Sequence, residues 1–279
     1  MTRSSYDLHG KVVLITGGTG GIGSATALEL IRRGAKVAIV DVDPAAPRIA
    51  QRMSPHSAVG VLADVRVRSE LDLAVADVVD RFGRVDVAIA NAGILSRAAT
   101  LRATPTSSIE CLLAVNVTGV VNTVQAAMDQ VIAHHGQFVL ISSVFAFLNG
   151  MGTIPYAMSK AAVEQLGRGL RVELAAHGVT TTIAYFSLID TSMIKQGVDE
   201  DPAVVELLAT MPRAMLKRLA PDTAAAALAD GLAHRAPRVM VPSRWKSVSA
   251  LRGLLAPALD SRLVGDRQTL AALSKLDAR

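Results

Sequence analysis

Two kinds of apolar pattern alternate along the chain. Short runs apolar at nearly every position and rich in β-branched residues fall at 11–16, 36–42, 58–64, 85–93, 136–143, 180–186 and 238–242. Helix-length segments mixing Ala, Leu, Glu and Arg separate them, such as GSATALELIRRG and AMSKAAVEQLGRGLRVELAAHG. A strand apolar on both sides has to be covered on both faces, the condition of a parallel sheet between helix layers. Seven such runs with helical crossovers predict a doubly wound α/β (Rossmann) fold with a seven-stranded parallel sheet. No Pro-, Gly- or Ser-rich linker interrupts the pattern, so one domain is expected over 8–242, with a helical extension over 243–279.

Composition narrows this picture. Hydrophobic residues make up 51% and aromatics only 3%, which predicts an aliphatic core. No apolar run reaches the roughly 18 residues of a membrane-spanning helix, and the first run is too short for a secretory signal. The single cysteine, Cys111, rules out an internal disulfide and fits a reducing, cytoplasmic setting. No Cys, His and acid cluster has the spacing of a metal site, so no metal is expected.

The first candidate chemistry is TGGTGGIG, Thr16 to Gly23, placed between the first strand and the first helix. Glycines let a chain turn tightly and let a ligand approach its backbone, and a helix N-terminus attracts phosphate. Gly17, Thr19, Gly20, Gly21, Ile22 and Gly23 are therefore candidates for holding a pyrophosphate. No Gly-Lys-Ser/Thr follows, which excludes a P-loop. Past the first helix, Asp41 ends the second strand. A carboxylate there accepts from a ribose diol and repels a 2′-phosphate, so NAD is expected rather than NADP.

Further marks follow in order: Asn91-Ala92-Gly93, Asn116, Ser143, and YAMSK from Tyr156 to Lys160. With the glycine signature, this set resembles the short-chain dehydrogenase/reductase family over about residues 8–242. The gaps from Ser143 to Tyr156 and from Tyr156 to Lys160 match that family's usual spacing. The resemblance implies a dinucleotide-binding catalytic domain and a hydride transfer between NAD(H) and a secondary alcohol or carbonyl. It makes Asn116, Ser143, Tyr156 and Lys160 catalytic. Tyr156 and Lys160 stand one helical turn apart, and a nearby ammonium is expected to lower the phenol pKa so that Tyr156 can act as base or acid. Asp64 and Val65 match the family's adenine contacts. Ile189 and Thr191 match its nicotinamide contacts, whereas its usual Pro-Gly is Phe186-Ser187 here. That departure puts Phe186 beside the cofactor and leaves the local backbone geometry in question. The competing reading is a non-catalytic dinucleotide sensor on the same fold, which has no need of the four catalytic residues together.

Substrate and partner signals come from the apolar segments. The loop VFAFLNGMG and the lid-like stretch holding Met193, Ile194, Val198, Val204, Leu207, Leu208, Met211 and Met215 predict a lipophilic substrate. By the resemblance, helices near 110–133 and 156–176 pair between subunits in a homodimer or homotetramer. From Arg238 on, eight basic residues face three acidic ones, a surplus equal to the whole chain's +5. Residues 244–263 are read as a basic amphipathic helix interrupted at Pro257, similar to the tails of membrane-associated hydroxysteroid dehydrogenases. It could lie on an anionic membrane, pack as a lid, or serve as an interface. Nothing points to nucleic acid.

Overall fold

The apolar runs form β1 (Val12–Thr16), β2 (Lys36–Asp41), β3 (Ala58–Leu62), β4 (Val87–Ala90), β5 (Gln137–Ser143), β6 (Thr180–Phe186) and β7 (Arg238–Val241). This is seen in a computed structural model that describes residues 5–211 and 216–279, so the lid candidate Met215 lies outside the described residues. All pairings are parallel, in the order β3-β2-β1-β4-β5-β6-β7. The order reverses at β1, with β2 on one side and β4 on the other, and such a switch point opens a crevice at the strands' C-terminal ends.

The helices are α1 (Gly21–Arg32), α2 (Ala46–Met53), α3 (Arg68–Phe82), α4 (Thr106–Leu113), α5 (Gly119–Ala133), α6 (Ile154–Glu173), α7 (Ser192–Ile194), α8 (Pro202–Ala209), α9 (Pro221–Ala233), α10 (Trp245–Gly265) and α11 (Arg267–Asp277). Alternate residues of each strand enter opposite layers, as the period of two demands. Val13 and Ile15 pack with Leu30 of α1 and Leu228 of α9. Val12 and Leu14 pack with Leu71 of α3 and Val124 of α5.

Four expectations need correction. The 85–93 run is a strand only over Val87–Ala90, because Asn91 turns its side chain into the glycine-rich loop. The core is not purely aliphatic: Tyr185 and Phe138 are among its largest fully buried side chains. A segment long and apolar enough to span a membrane does exist, Thr106–Ala133, but its α5 part packs against β4 and α3. Finally, α10 runs through Pro257, where the exposed face lets water take the freed carbonyl. Nor is α10 cleanly amphipathic: Arg252 turns inward to a bidentate pair with buried Glu164, and Trp245 is buried against Tyr185 and Met240.

Candidate active site

At the strand ends a cleft of about 520 Å³ opens, and most of the candidate residues line it. Its floor is the turn from β1 into α1. Gly17 has φ of +66°, and a Cβ there would stand 2.8 Å from the Ala92 Cα. Gly23 does not line the cleft. It lets α1 close on the strand, since a methyl group would meet the Gly17 carbonyl oxygen at 2.2 Å. The Asn91 amide donates to the Thr16 and Gly17 carbonyls, both at 2.9 Å, and so ties β4 to the same turn. Thr16, overlooked in the sequence as a site residue, accepts through Oγ1 from the Asn91 and Ala92 N–H groups.

Gly20, Gly21 and Ile22 begin α1 without a capping side chain and without an acid in the first turn. The positive end of α1 thus lies at the cleft, and a Cβ at Gly20 would meet only open space there. That helix end fits a pyrophosphate. Asp41 stands at the cleft edge, where its Oδ2 accepts from the Thr19 N–H at 3.0 Å and the Thr19 hydroxyl at 2.8 Å. Asp64 and Val65 line the far end. Arg66 grips the Asp64 carboxylate and holds it below the usual carboxylate range, while the Val65 carbonyl accepts from Asn122 at 2.9 Å. Arg66 and Asn122 carry no signal in the sequence, because only the folded loop brings them there.

The opposite wall holds Ser143, Tyr156 and Lys160. β5 ends at Ser143, whose hydroxyl accepts from the Phe145 N–H at 3.2 Å and donates to the Phe186 carbonyl at 3.3 Å. Ser142 differs: its hydroxyl donates to the Lys160 carbonyl at 2.9 Å and anchors α6 to the strand. On α6 the Lys160 ammonium lies 5.6 Å from the Tyr156 ring centre and donates to the Ile141 carbonyl at 3.1 Å. Phe145 packs edge-on against Tyr156 at 6.0 Å.

The expected acidification of the phenol is not what this geometry gives. Burial raises the Tyr156 pKa, with Ser143 acting the other way, and burial draws Lys160 down to about 8. Desolvation penalises the charged form of each group, and for Tyr156 it outweighs the hydrogen bond with Ser143. Asn116 stands behind the cleft lining. It is fully buried in a π-helical turn, Ala114–Thr118, where it exchanges hydrogen bonds with the Ile94 backbone and donates to Ser159. Gly93 bridges it to the cleft: a Cβ there would lie 3.4 Å from the Asn116 Oδ1 and 3.5 Å from the Lys160 Nζ. Phe186, Ser187, Ile189 and Thr191 complete the wall, with Thr191 capping α7 at Ile194 and its methyl beside Gly21. Among the described residues no cluster could hold a metal.

The family model described as short chain dehydrogenase matches residues 11–202. The chain belongs to that family. It is therefore an oxidoreductase of alcohols or carbonyls that uses a nicotinamide dinucleotide. Among its relatives is the (2S)-[(R)-hydroxy(phenyl)methyl]succinyl-CoA dehydrogenase subunit BbsD of Thauera aromatica, 33% identical over 70% of this chain and 79% of that one. The 2-(R)-hydroxypropyl-CoM dehydrogenase of Xanthobacter autotrophicus is 30% identical over 73% of this chain and 84% of its own length. A crystal structure of 3-ketoacyl-(acyl-carrier-protein) reductase from Brucella melitensis complexed with NADH superposes with a TM-score of 0.73 at 25% identity, covering 84% of this chain and 97% of that one. This short-chain dehydrogenase continues past the family match from Ala203 to Arg279, the match ending just as α8 begins.

Proposed function

We propose that this short-chain dehydrogenase interconverts a lipophilic secondary alcohol and its ketone with NAD(H) as cofactor. The observation that carries the reading is one cleft with the phosphate-fitting turn and Asp41 at one end and Ser143, Tyr156 and Lys160 on the facing wall. A bound nicotinamide would supply or accept the hydride. Tyr156 gives a proton to the substrate oxygen in reduction and takes it in oxidation, while the Ser143 hydroxyl steadies that oxygen as its charge changes. Lys160, drawn to about 8 by burial, holds the replacement proton close to the phenol, with Asn116 fixing the backbone behind it. Asp41 disfavours NADP because a 2′-phosphate would meet its carboxylate. Ile94, Met193 and Ile194 on the cleft wall favour an apolar substrate, and the phenyl group in the name of the Thauera relative agrees with that.

The test couples two readouts. Tyr156→Phe should lose turnover of a secondary-alcohol panel by about 10³-fold while NADH still quenches or enhances fluorescence as in the parent, in line with the usual worth of a general acid–base. Undiminished turnover ends the mechanism, and tighter binding of NADPH than NADH ends the cofactor assignment. Exposed Met158 and Val172 on α6 support pairing of that helix with a second copy, which light scattering as a monomer would refute. Exposed Leu251, Leu254 and Val264, on the same helix as the basic Lys246 and Arg262, support a peripheral membrane contact by α10, with flotation on anionic liposomes as its check. A reducing, cytoplasmic setting suits free Cys111, and a fusion to a fluorescent protein would report it.

A further inference from the structure

α11, outside the family match, lies on α8. Val204 and Leu207 of α8 form one apolar cluster with Ala272 and Leu276 of α11, and Leu95, Met151 and Ile194 pack at its edge. Ile194 belongs to this cluster and to the cleft wall at once. The fit is close at Gly152, where a Cβ would stand 3.0 Å from both the Leu207 Cδ2 and the Leu276 Cδ1.

Polar contacts fasten the same helix. Arg279 donates to both carboxylate oxygens of Asp201, the residue that caps α8, and to the Ala98 carbonyl at 2.5 Å. Lys275 pairs with Glu206 at 2.6 Å, and Asp277 accepts from Arg102 and Thr100. Three segments that follow β4, β5 and β6 in turn, at 95–102, 151–152 and 192–209, thus meet on one helix. The lid itself has little internal support: α7 is three residues long and a π-helical turn, Lys195–Asp199, follows it. Helices this short do not hold their shape without packing.

We propose that α11 is a strap that holds the 192–209 lid over the substrate end of the cleft. Arg279 and Leu276 are positioning residues that act through Asp201 and Leu207. The idea rests on the reading that substrate sits beside Tyr156 beneath this lid. The Arg279–Asp201 pair is the strongest polar fastening, because both side chains are only 14% exposed and salt screens it least. Lys275–Glu206 lies on the exposed rim and contributes less.

Hydrogen–deuterium exchange on the full chain and its variants tests the strap without any substrate. Amides of 192–209 should exchange about tenfold faster in Arg279→Ala, with Arg279→Lys restoring part of the protection and β1, β4 and β5 unchanged. Asp201→Asn, which keeps the capping oxygen but loses the charge, should act in the same direction. A chain stopped after Gly265 should show the largest lid effect, and if it does not fold the point variants decide. Unchanged lid exchange, or equal acceleration in lid and strands, overturns the proposal. Failure of the dehydrogenase reading shows up separately, in the Tyr156→Phe assay. With any alcohol that is turned over, Arg279→Ala should raise KM several-fold at nearly constant kcat, whereas a fall in kcat alone would refute a positioning role.

Discussion

The rigid wall of the cleft and the lid beside it are held by different forces. One grows from strand ends: Ser143 continues a fully buried β5, Lys160 is almost fully buried, and Asn91 bonds two backbone carbonyls of the neighbouring strand turn. The lid, α7 with α8 and α11 packed behind it, rests on a small apolar cluster and on ion pairs that are partly exposed. Groups that move protons need fixed positions, which a packed sheet provides, whereas a lid has to open for each substrate and cannot be as tightly built. On the proposed reading, the proton-handling groups stand on the rigid wall and the lid flanks the substrate end.

The largest expected effect separates function from stability on the rigid wall. Lys160→Met should cut turnover by about 10³-fold. The same change should stabilise the fold by on the order of 2 kcal/mol at pH 6.5, as read in thermal melts. The sign follows from a folded pKa of about 8 below the unfolded 10.5: below 8 the buried charge burdens only the folded state. The parent therefore gains stability from pH 8 towards 10.5, and the variant's advantage should shrink over that window. A Lys160→Met protein less stable at every pH would contradict this account of the wall.

Gly23→Ala comes next, with about 3 kcal/mol lost in urea unfolding and NADH binding weakened, because the methyl group collides with the Gly17 carbonyl. Normal binding would show that the turn is not the rigid cradle described. Arg252→Ala probes the root of the tail. It strands the buried Glu164 carboxylate and should cost about 2 kcal/mol, less than for a fully buried pair since the guanidinium is 36% exposed. A loss below about 0.5 kcal/mol, the usual size at an unanchored surface site, would mean that α10 is barely attached. Gly253→Ala is the smallest. Nothing stands within 4 Å of a Cβ there, so helix propensity alone should stabilise α10 by about 0.5–1 kcal/mol.

These contrasts also mark what could be read from the chain. Strand positions and the glycine turn were legible, because burial on both faces and a turn between strand and helix impose local patterns; Asp41, Ser143, Tyr156 and Lys160, picked out by residue type and spacing, do line one cleft. Gly23 was legible as part of the motif but not in its task, which is to admit the Asn91 amide and the Gly17 carbonyl. The direction of the Tyr156 pKa was misjudged, since spacing on a helix reports a neighbour but not the desolvation around it. Arg66, Thr16 and Asn122 were missed for a similar reason, as each meets the cleft through a contact that the loops create.

The order of strands and helices, and the glycine turn that opens the cleft, were already written in the linear chain, because hydrophobic period and turn residues act within a few positions of one another. Folding in three dimensions was needed to lay α11 against α8, to bring Arg279 to Asp201 across 78 positions, and to let burial govern both Tyr156 and Lys160. Such pairings depend on where distant segments come to rest, and no local pattern encodes the solvent that each side chain loses on the way.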